Sequence, residues 1–202
     1  MTNKILIGHL TRLRACQEAV DWLGERDLAT CWTECPRGDW LLWLAWSTRV
    51  DRKLLVKAAC RCAALALPIF EARYPDDKRP RDASETALRW TDGNATLDEV
   101  RTDAVAAYAA YAAYADAAYA DAAAAAATAY AAYAAYADAA AAYAAYAAYA
   151  AAAYADAAAA NAVDAVDAVA ARAKMRCRTA DVVRQIITVE IIESALTLKD
   201  DG

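Results

Sequence analysis

Nothing in this chain stops a helix after Gly93: no proline follows it, and no glycine occurs again until Gly202. The long stretch between is written mostly in alanine and tyrosine, as in "YAAYAAYADAAYADAAAAAATAYAAYAAYADAA" from Tyr108 to Ala140. Alanine has the highest helix propensity of all residues, so helix is predicted from Thr96 for about a hundred residues. Unbroken, it would reach roughly 150 Å at 1.5 Å per residue. A rod of that length is expected to pair with a second chain or, more simply, to fold back once or twice. The weakest places are the run Ala122–Ala127 with Thr128, and Asn161.

Up to Gly93 the sequence has a different character. All four prolines, all six tryptophans and four of the five glycines lie there. This part (1–93) reads as short helices with punctuation, and 94–202 as long helix, the two making one domain. "LTRLRACQEAVDWL" spaces Leu10, Leu13, Cys16, Val20 and Leu23 as the apolar face of one amphipathic helix. Asp27 is the expected N-cap of "DLATCWTEC", which Pro36-Arg37-Gly38 ends, and Asp39 the expected cap of "DWLLWLAWSTRV". That segment is apolar nearly all round and so should be buried. Asp51 opens a helix whose inward face is Leu54, Leu55, Ala58, Ala59, Cys62, Leu65 and Ile69, kinked or ended by Pro68. Pro80 suits the first turn of "RPRDASETALRW", which stops at Asp92-Gly93. "TADVVRQIITVEIIESALTL" reads as a last helix burying Val182, Val183, Ile186, Ile187 and Ile191. Its β-branched content leaves a strand between Ile186 and Ile192 as the alternative. No segment alternates apolar and polar residues over a strand's length. The expected class is therefore all-α: a multi-helix bundle with long Ala/Tyr-rich helices in the C-terminal half.

The tract carries an internal repeat. "YAAYAAYADAA" stands at 108–118 and again at 130–140, with "YAAYAAYAAAA" at 143–153. Eleven residues return to nearly the same helix face, drifting by about 20°. Tyr108, Tyr119 and Tyr130 would therefore align, as would Tyr111 with Tyr133. On one unbroken helix Asp116, Asp138, Asp156 and Asp167 form a narrow stripe, and most tyrosines fall opposite it over an arc of about 160°. The aspartates then mark water and the tyrosines mark contact, either with neighbouring helices or with a ligand or partner.

Chemistry is sparsely represented. Formal charge is −5, which gives no reason to expect nucleic acid as a partner. No apolar run reaches the ~20 residues of a membrane span, and the first residues lack a signal-peptide pattern, so a cytoplasmic protein is expected. The six cysteines suit reduced, buried thiols, and with His9 the only histidine no metal site, cofactor or His-based catalysis is expected. No nucleophile or phosphate-loop motif occurs, so no catalytic residue is assigned. The charged clusters are Arg37 and Asp39 in "CPRGDW", and Asp76, Asp77, Lys78, Arg79 and Arg81 in "YPDDKRPR". Each is read as caps and surface ion pairs or, functionally, as an anion clamp near a helix N-terminus. The basic run Arg172, Lys174, Arg176 and Arg178 winds around its helix and should be solvated. The candidate binding residues are thus Arg37, Asp39, Lys78, Arg79, Arg81, Tyr108, Tyr111, Tyr119, Tyr130 and Tyr133.

Three stretches taken together, "CPRGDWLLWLA" (35–45), "YPDDKRPRDASETALRW" (74–90) and the Ala/Tyr helix running into "CRTADVVRQII" (177–187), carry a resemblance. In that order the chain, from about Leu13 to Ile187, resembles the all-helical immunity proteins found beside bacterial polymorphic toxins and in phage genomes. The resemblance implies a helical domain that inactivates a toxin or defence protein by binding it, without catalysis. It carries no functional residues over. Two alternatives stand beside it: a sponge for a small anionic nucleotide-like signal, and a structural protein that forms homo-oligomers through its alanine tract.

Overall fold

The computed structural model describes residues 1–114, 127, 130–132, 134 and 165–197. Among them every regular element is a helix. In chain order these are α1 (Asn3–Arg12), α2 (Gln17–Leu23), α3 (Leu28–Glu34), α4 (Gly38–Ser47), α5 (Arg52–Ala63), α6 (Leu67–Arg73) and α7 (Arg79–Thr91). Then come α8 (Leu97–Tyr114), α9 (Ala165–Ile186) and α10 (Val189–Thr197). The fold is all-α, as expected. The strand alternative for 186–192 fails, because Ile187 and Thr188 form a break between two helices.

Several boundaries follow from local chemistry. The Asp27 carboxylate accepts from the Thr30 N–H at 2.8 Å and that of Asp51 from the Lys53 N–H at 2.7 Å, so both cap as expected. Gly93 (φ +80°) terminates α7. Its N–H donates to the Trp90 carbonyl at 3.0 Å while that of Asn94 donates to Arg89 at 2.8 Å, a Schellman pair. Three residues later the chain re-enters helix through a capping box. The Thr96 N–H donates to Glu99 Oε2 at 2.7 Å, and the Glu99 N–H to Thr96 Oγ1 at 3.2 Å.

Four expectations are corrected. The first amphipathic segment is two helices, since Arg14 turns left-handed (φ 60°) and the Ala15 N–H closes on the Leu10 carbonyl at 2.9 Å. The turn aims Leu10 and Leu23 into one core and leaves Cys16 exposed. Pro68 does not end a helix: α5 has already stopped at Ala63, and the proline sits in the first turn of α6, where its missing N–H costs nothing. Asp39 lies inside α4 and Arg37 takes the cap position without a side-chain cap bond. The expected last helix is two, α9 and α10, parted at Ile187 and Thr188. His9 is buried, with Arg12 Nη2 at 2.8 Å from its Nδ1.

The buried side chains form two main clusters that share α5. One joins Val56, Ala59, Cys60 and Ala63 to Phe70, to Ala83 and Ala87 of α7, and to Val100, Ala104, Ala107 and Ala110 of α8. Ala127, Ala131, Ala132 and Ala134 of the tract are buried in the same cluster. Alanine along these faces lets backbones approach closely, and α7 and α8 pack along each other. The other cluster draws on α1–α5, α9 and α10, with Leu6, Leu28, Leu42, Leu55, Ile187, Ile192 and Leu196 almost wholly removed from water. Burial of each such side chain contributes about 1.5–3 kcal/mol. Across the end of α9, the break and α10, Val183 and Ile187 are buried as expected, whereas Val182, Ile186 and Ile191 are half-buried.

Helix α9 packs against α4 and α5, and its contacts tie the two ends of the sequence together. The Trp32 indole N–H donates to the Ile187 carbonyl at 3.2 Å, and the Cys62 thiol donates to the Thr179 carbonyl at 3.6 Å. Arg184 Nε donates to the Trp32 carbonyl at 2.7 Å and its Nη2 to that of Cys35, so a side chain of α9 caps the end of α3.

Candidate functional site

The two charged clusters are built differently from an open clamp. Arg37 precedes α4 and grips Asp39 with a two-pronged pair, Nε to Oδ1 at 2.9 Å and Nη2 to Oδ2 at 2.6 Å. Its Nη1 reaches Glu18 at 3.4 Å, and its guanidinium lies 4.5 Å from the Trp40 ring centroid. Both side chains are mostly covered, at 12% and 15% exposure, and the Asp39 bond raises the arginine's pKa further. An incoming anion would have to displace Asp39. At the start of α7, Arg79 pairs with Asp77 at 2.9 and 2.6 Å. Arg81 pairs with Glu71 through both its Nε and its Nη2, and with Glu85 at 3.4 Å. Lys78 is exposed. Lys78 and Arg79 share an open recess with Arg73 and Tyr74, but Asp76, Asp77 and Asp82 line it too, so its charges balance. Arg81 does not line this recess.

The tyrosines divide. Tyr108 is 44% exposed, on a face of α8 that also shows Leu97 and Val105. At 100° per residue these three lie within about 80° of arc. Tyr130, which an unbroken helix would align with Tyr108, is half-buried against the α5–α8 cluster. Tyr111 is described by its backbone alone, on α8. Tyr119, Tyr133, Asp116, Asp138, Asp156, Thr128 and Asn161 lie outside the described residues, as do all but Ala127 of the run 122–127. In the basic run Lys174 and Arg178 are exposed and Arg176 half-buried.

One feature was missed by reading the sequence. Between α2, α3 and α4 an apolar crevice of about 60 Å³ opens, with Trp22, Trp32, Trp40 and Trp43 among its lining. The Trp22 and Trp40 rings meet edge to face with centroids 6.3 Å apart, and Arg26 stacks 4.8 Å from the Trp22 centroid. Cys31 and Cys35 also line the crevice, and burial pushes both thiols up to about 11. The expectation that α4 is buried all round is corrected here: Trp40, Trp43 and Leu44 are half-buried and Trp46 is 39% exposed. The available signal was the concentration of tryptophan ahead of Gly93, with Trp40, Trp43 and Trp46 on successive turns. It was absorbed into the core reading because an all-apolar helix does not announce a solvent-facing side.

Among the described residues, no group of three or more His, Cys, Asp or Glu side chains comes together to hold a metal ion. No described helix is long and apolar enough to cross a membrane. Residues 45–181, more than half of the chain, match the family described as Imm-5 like putative immunity protein. No curated protein and no solved structure matches the chain. The chain belongs to the Imm-5 like family.

Proposed function

We propose that this member of an immunity-protein family neutralises a toxin or defence protein in the cytoplasm by direct binding, without catalysis. The family membership over residues 45–181 carries the reading. The exposed apolar side chains Leu97, Val105 and Tyr108 on α8, and the half-buried tryptophans of the crevice, supply surface of the kind that anchors protein partners. The test is co-expression with a panel of bacterial toxins, scored by growth and by native mass spectrometry of the purified chain. A complex heavier than 21.6 kDa that is not a multiple of that mass is expected. Growth rescue without any complex would sink the reading, and a dilution-resistant multiple of the chain mass would favour self-association.

One observation favours a second reading, the sponge. The Tyr74 ring shares its recess with Arg73, Lys78 and Arg79, an aromatic face beside three cations that a bound phosphate would have to win from Asp76, Asp77 and Asp82. A nucleotide bound there should weaken with salt and with Arg79→Ala. Unchanged affinity in that variant would remove this reading.

A further inference from the structure

We propose that the tryptophan crevice between α2, α3 and α4 receives one aliphatic side chain of the neutralised protein, offered from a basic surface. The proposal rests on the direct-binding reading and names the chemistry of the partner. The volume sets the size of the anchor. One water occupies about 10–15 Å³ of such space, so 60 Å³ takes the tip of a leucine, isoleucine or methionine and is too small for an indole. The lining sets its polarity. Apart from the two protonated thiols the wall is indole and aliphatic carbon, and a polar group entering it would lose its water hydrogen bonds without replacement.

The walls are held in place from within the chain. Arg26 stacks on Trp22 and pairs with Glu34 at 3.1 Å; Arg37 stacks on Trp40 and pairs with Glu18 at 3.4 Å. The Trp22 and Trp40 indoles are therefore each backed by a guanidinium that is itself held by a carboxylate. The Trp32 indole is fixed by its bond to Ile187. Side chains ordered in advance cost little further entropy on association. The mouth is acidic. Glu18 and Glu34 are 71% and 56% exposed, Asp21 beside Trp22 is exposed, and Asp39 adds a fourth carboxylate against Arg26 and Arg37, while Arg184, bonded to the Trp32 and Cys35 carbonyls, is matched by Asp181. Charge complementarity then calls for lysine or arginine flanking the anchor, and it disfavours a second copy, which would bring the same acidic rim. The residues that line the crevice all fall between 6 and 44, ahead of the segment 45–181 shared with the family.

The test uses the full chain and three synthetic peptides. One is a leucine flanked by two lysines on each side, the second has serine in place of leucine, and the third has glutamate in place of the lysines. The indole N–H signals of Trp22, Trp40 and Trp43 should shift saturably with the first, with a dissociation constant in roughly the millimolar range. The serine and glutamate peptides should bind at least about tenfold more weakly. Ala19→Leu, which grows into the crevice, should abolish the shifts while the melting temperature is kept. Asp21→Lys, on the exposed rim, should weaken the lysine peptide severalfold without touching the fold. The proposal is overturned by equal binding of leucine and serine peptides, by equal binding of the acidic peptide, by no shift at all, or by normal binding in Ala19→Leu. A wild-type dimer dispersed by Ala19→Leu would overturn it in favour of a second copy. If the peptides fail while the toxin complex forms, direct binding stands and uses another face; if both fail, both readings go.

Discussion

Gly38 opens α4 where that helix meets α9, and a Cβ placed there would stand 2.6 Å from Thr179 Oγ1, 2.7 Å from the Thr179 carbonyl carbon and 2.8 Å from its Cβ. Carbon atoms pack at about 3.5–4.0 Å. A hydroxyl can rotate away, but a carbonyl carbon in the middle of a helix cannot, so Gly38→Ala must push α4 and α9 apart by about an ångström. Overpacking of this kind costs about 1–3 kcal/mol. The better helix propensity of alanine and its smaller unfolded-state entropy return about 0.5–1 kcal/mol. The same displacement strains what α9 holds across the gap, namely the Arg184 bonds to the Trp32 and Cys35 carbonyls and the Cys62 thiol bond to Thr179. Weakening the charged bonds alone adds about 1 kcal/mol or more. The net expectation is a loss of about 2–3 kcal/mol, or roughly 4–12 °C in melting temperature for a chain of this size. Urea unfolding followed by tryptophan fluorescence measures it directly, because Trp32 and Trp40 lie beside the joint. The control is Gly38→Ala with Thr179→Ala, which removes Oγ1 but leaves the backbone contact, and so should recover less than half of the loss. A Gly38→Ala protein as stable as the wild type, or full recovery in the double variant, would refute the reasoning.

The other predictions concern strain, protonation and the tract. Arg14→Gly and Arg49→Gly relieve left-handed backbone at φ 60° and 65°, and each should raise stability by about 0.5–1 kcal/mol in the same urea assay. The Arg81 pair holds the Glu71 carboxyl below its ordinary 4.5, so the pair's contribution is present above that value and is lost as pH falls through the lowered one. Being partly exposed, it is worth no more than about 1 kcal/mol; Glu71→Gln should be less stable than wild type by that margin at pH 7 and equal to it in strong acid. In thiol titration with a disulfide reagent at pH 8, Cys16 and Cys177 should react first, and Cys31, Cys35, Cys60 and Cys62 only on unfolding. Burial raises the last four, Cys60 to about 12, so rapid reaction of any of them would contradict the packing. Tyr130→Ala should lower the melting temperature by several degrees, whereas Tyr108→Ala should leave it unchanged and weaken the toxin complex about tenfold.

Legibility in the sequence followed the residues that enforce geometry locally. Asp27, Asp51, Pro80 and Gly93 each act through their own backbone neighbourhood, and the helix ends fall where those residues put them; the Thr96–Glu99 box that starts α8 acts the same way but was not read from the sequence. The break after α1 was not legible because its left-handed position is Arg14, which gives no glycine signal; the same holds for Arg49 after α4. Both turns close by the Schellman pattern with an arginine where glycine is usual. The charged clusters were found with their local partners, but their distant partners were not. Arg37 grips Asp39 two residues away, whereas the Arg81–Glu71 and Arg184–Trp32 contacts join different helices, which no spacing reveals.

The tract shows why a repeat can fix secondary structure without fixing a role. Tyr108 and Tyr130 stand in the same place in two identical eleven-residue copies, yet one is exposed beside Leu97 and Val105 and the other packs against a core of alanines. An isolated helix would treat them alike. What separates them is the neighbour: α7 lies along α8 and covers its Val100, Ala104, Ala107 face, while Tyr108 stays 44% exposed. Tyrosine tolerates both settings because its ring can be buried while its hydroxyl remains near water. A contact residue of this type is thus specified by which helix comes to rest on it, and the sequence repeat alone does not say which copy that will be.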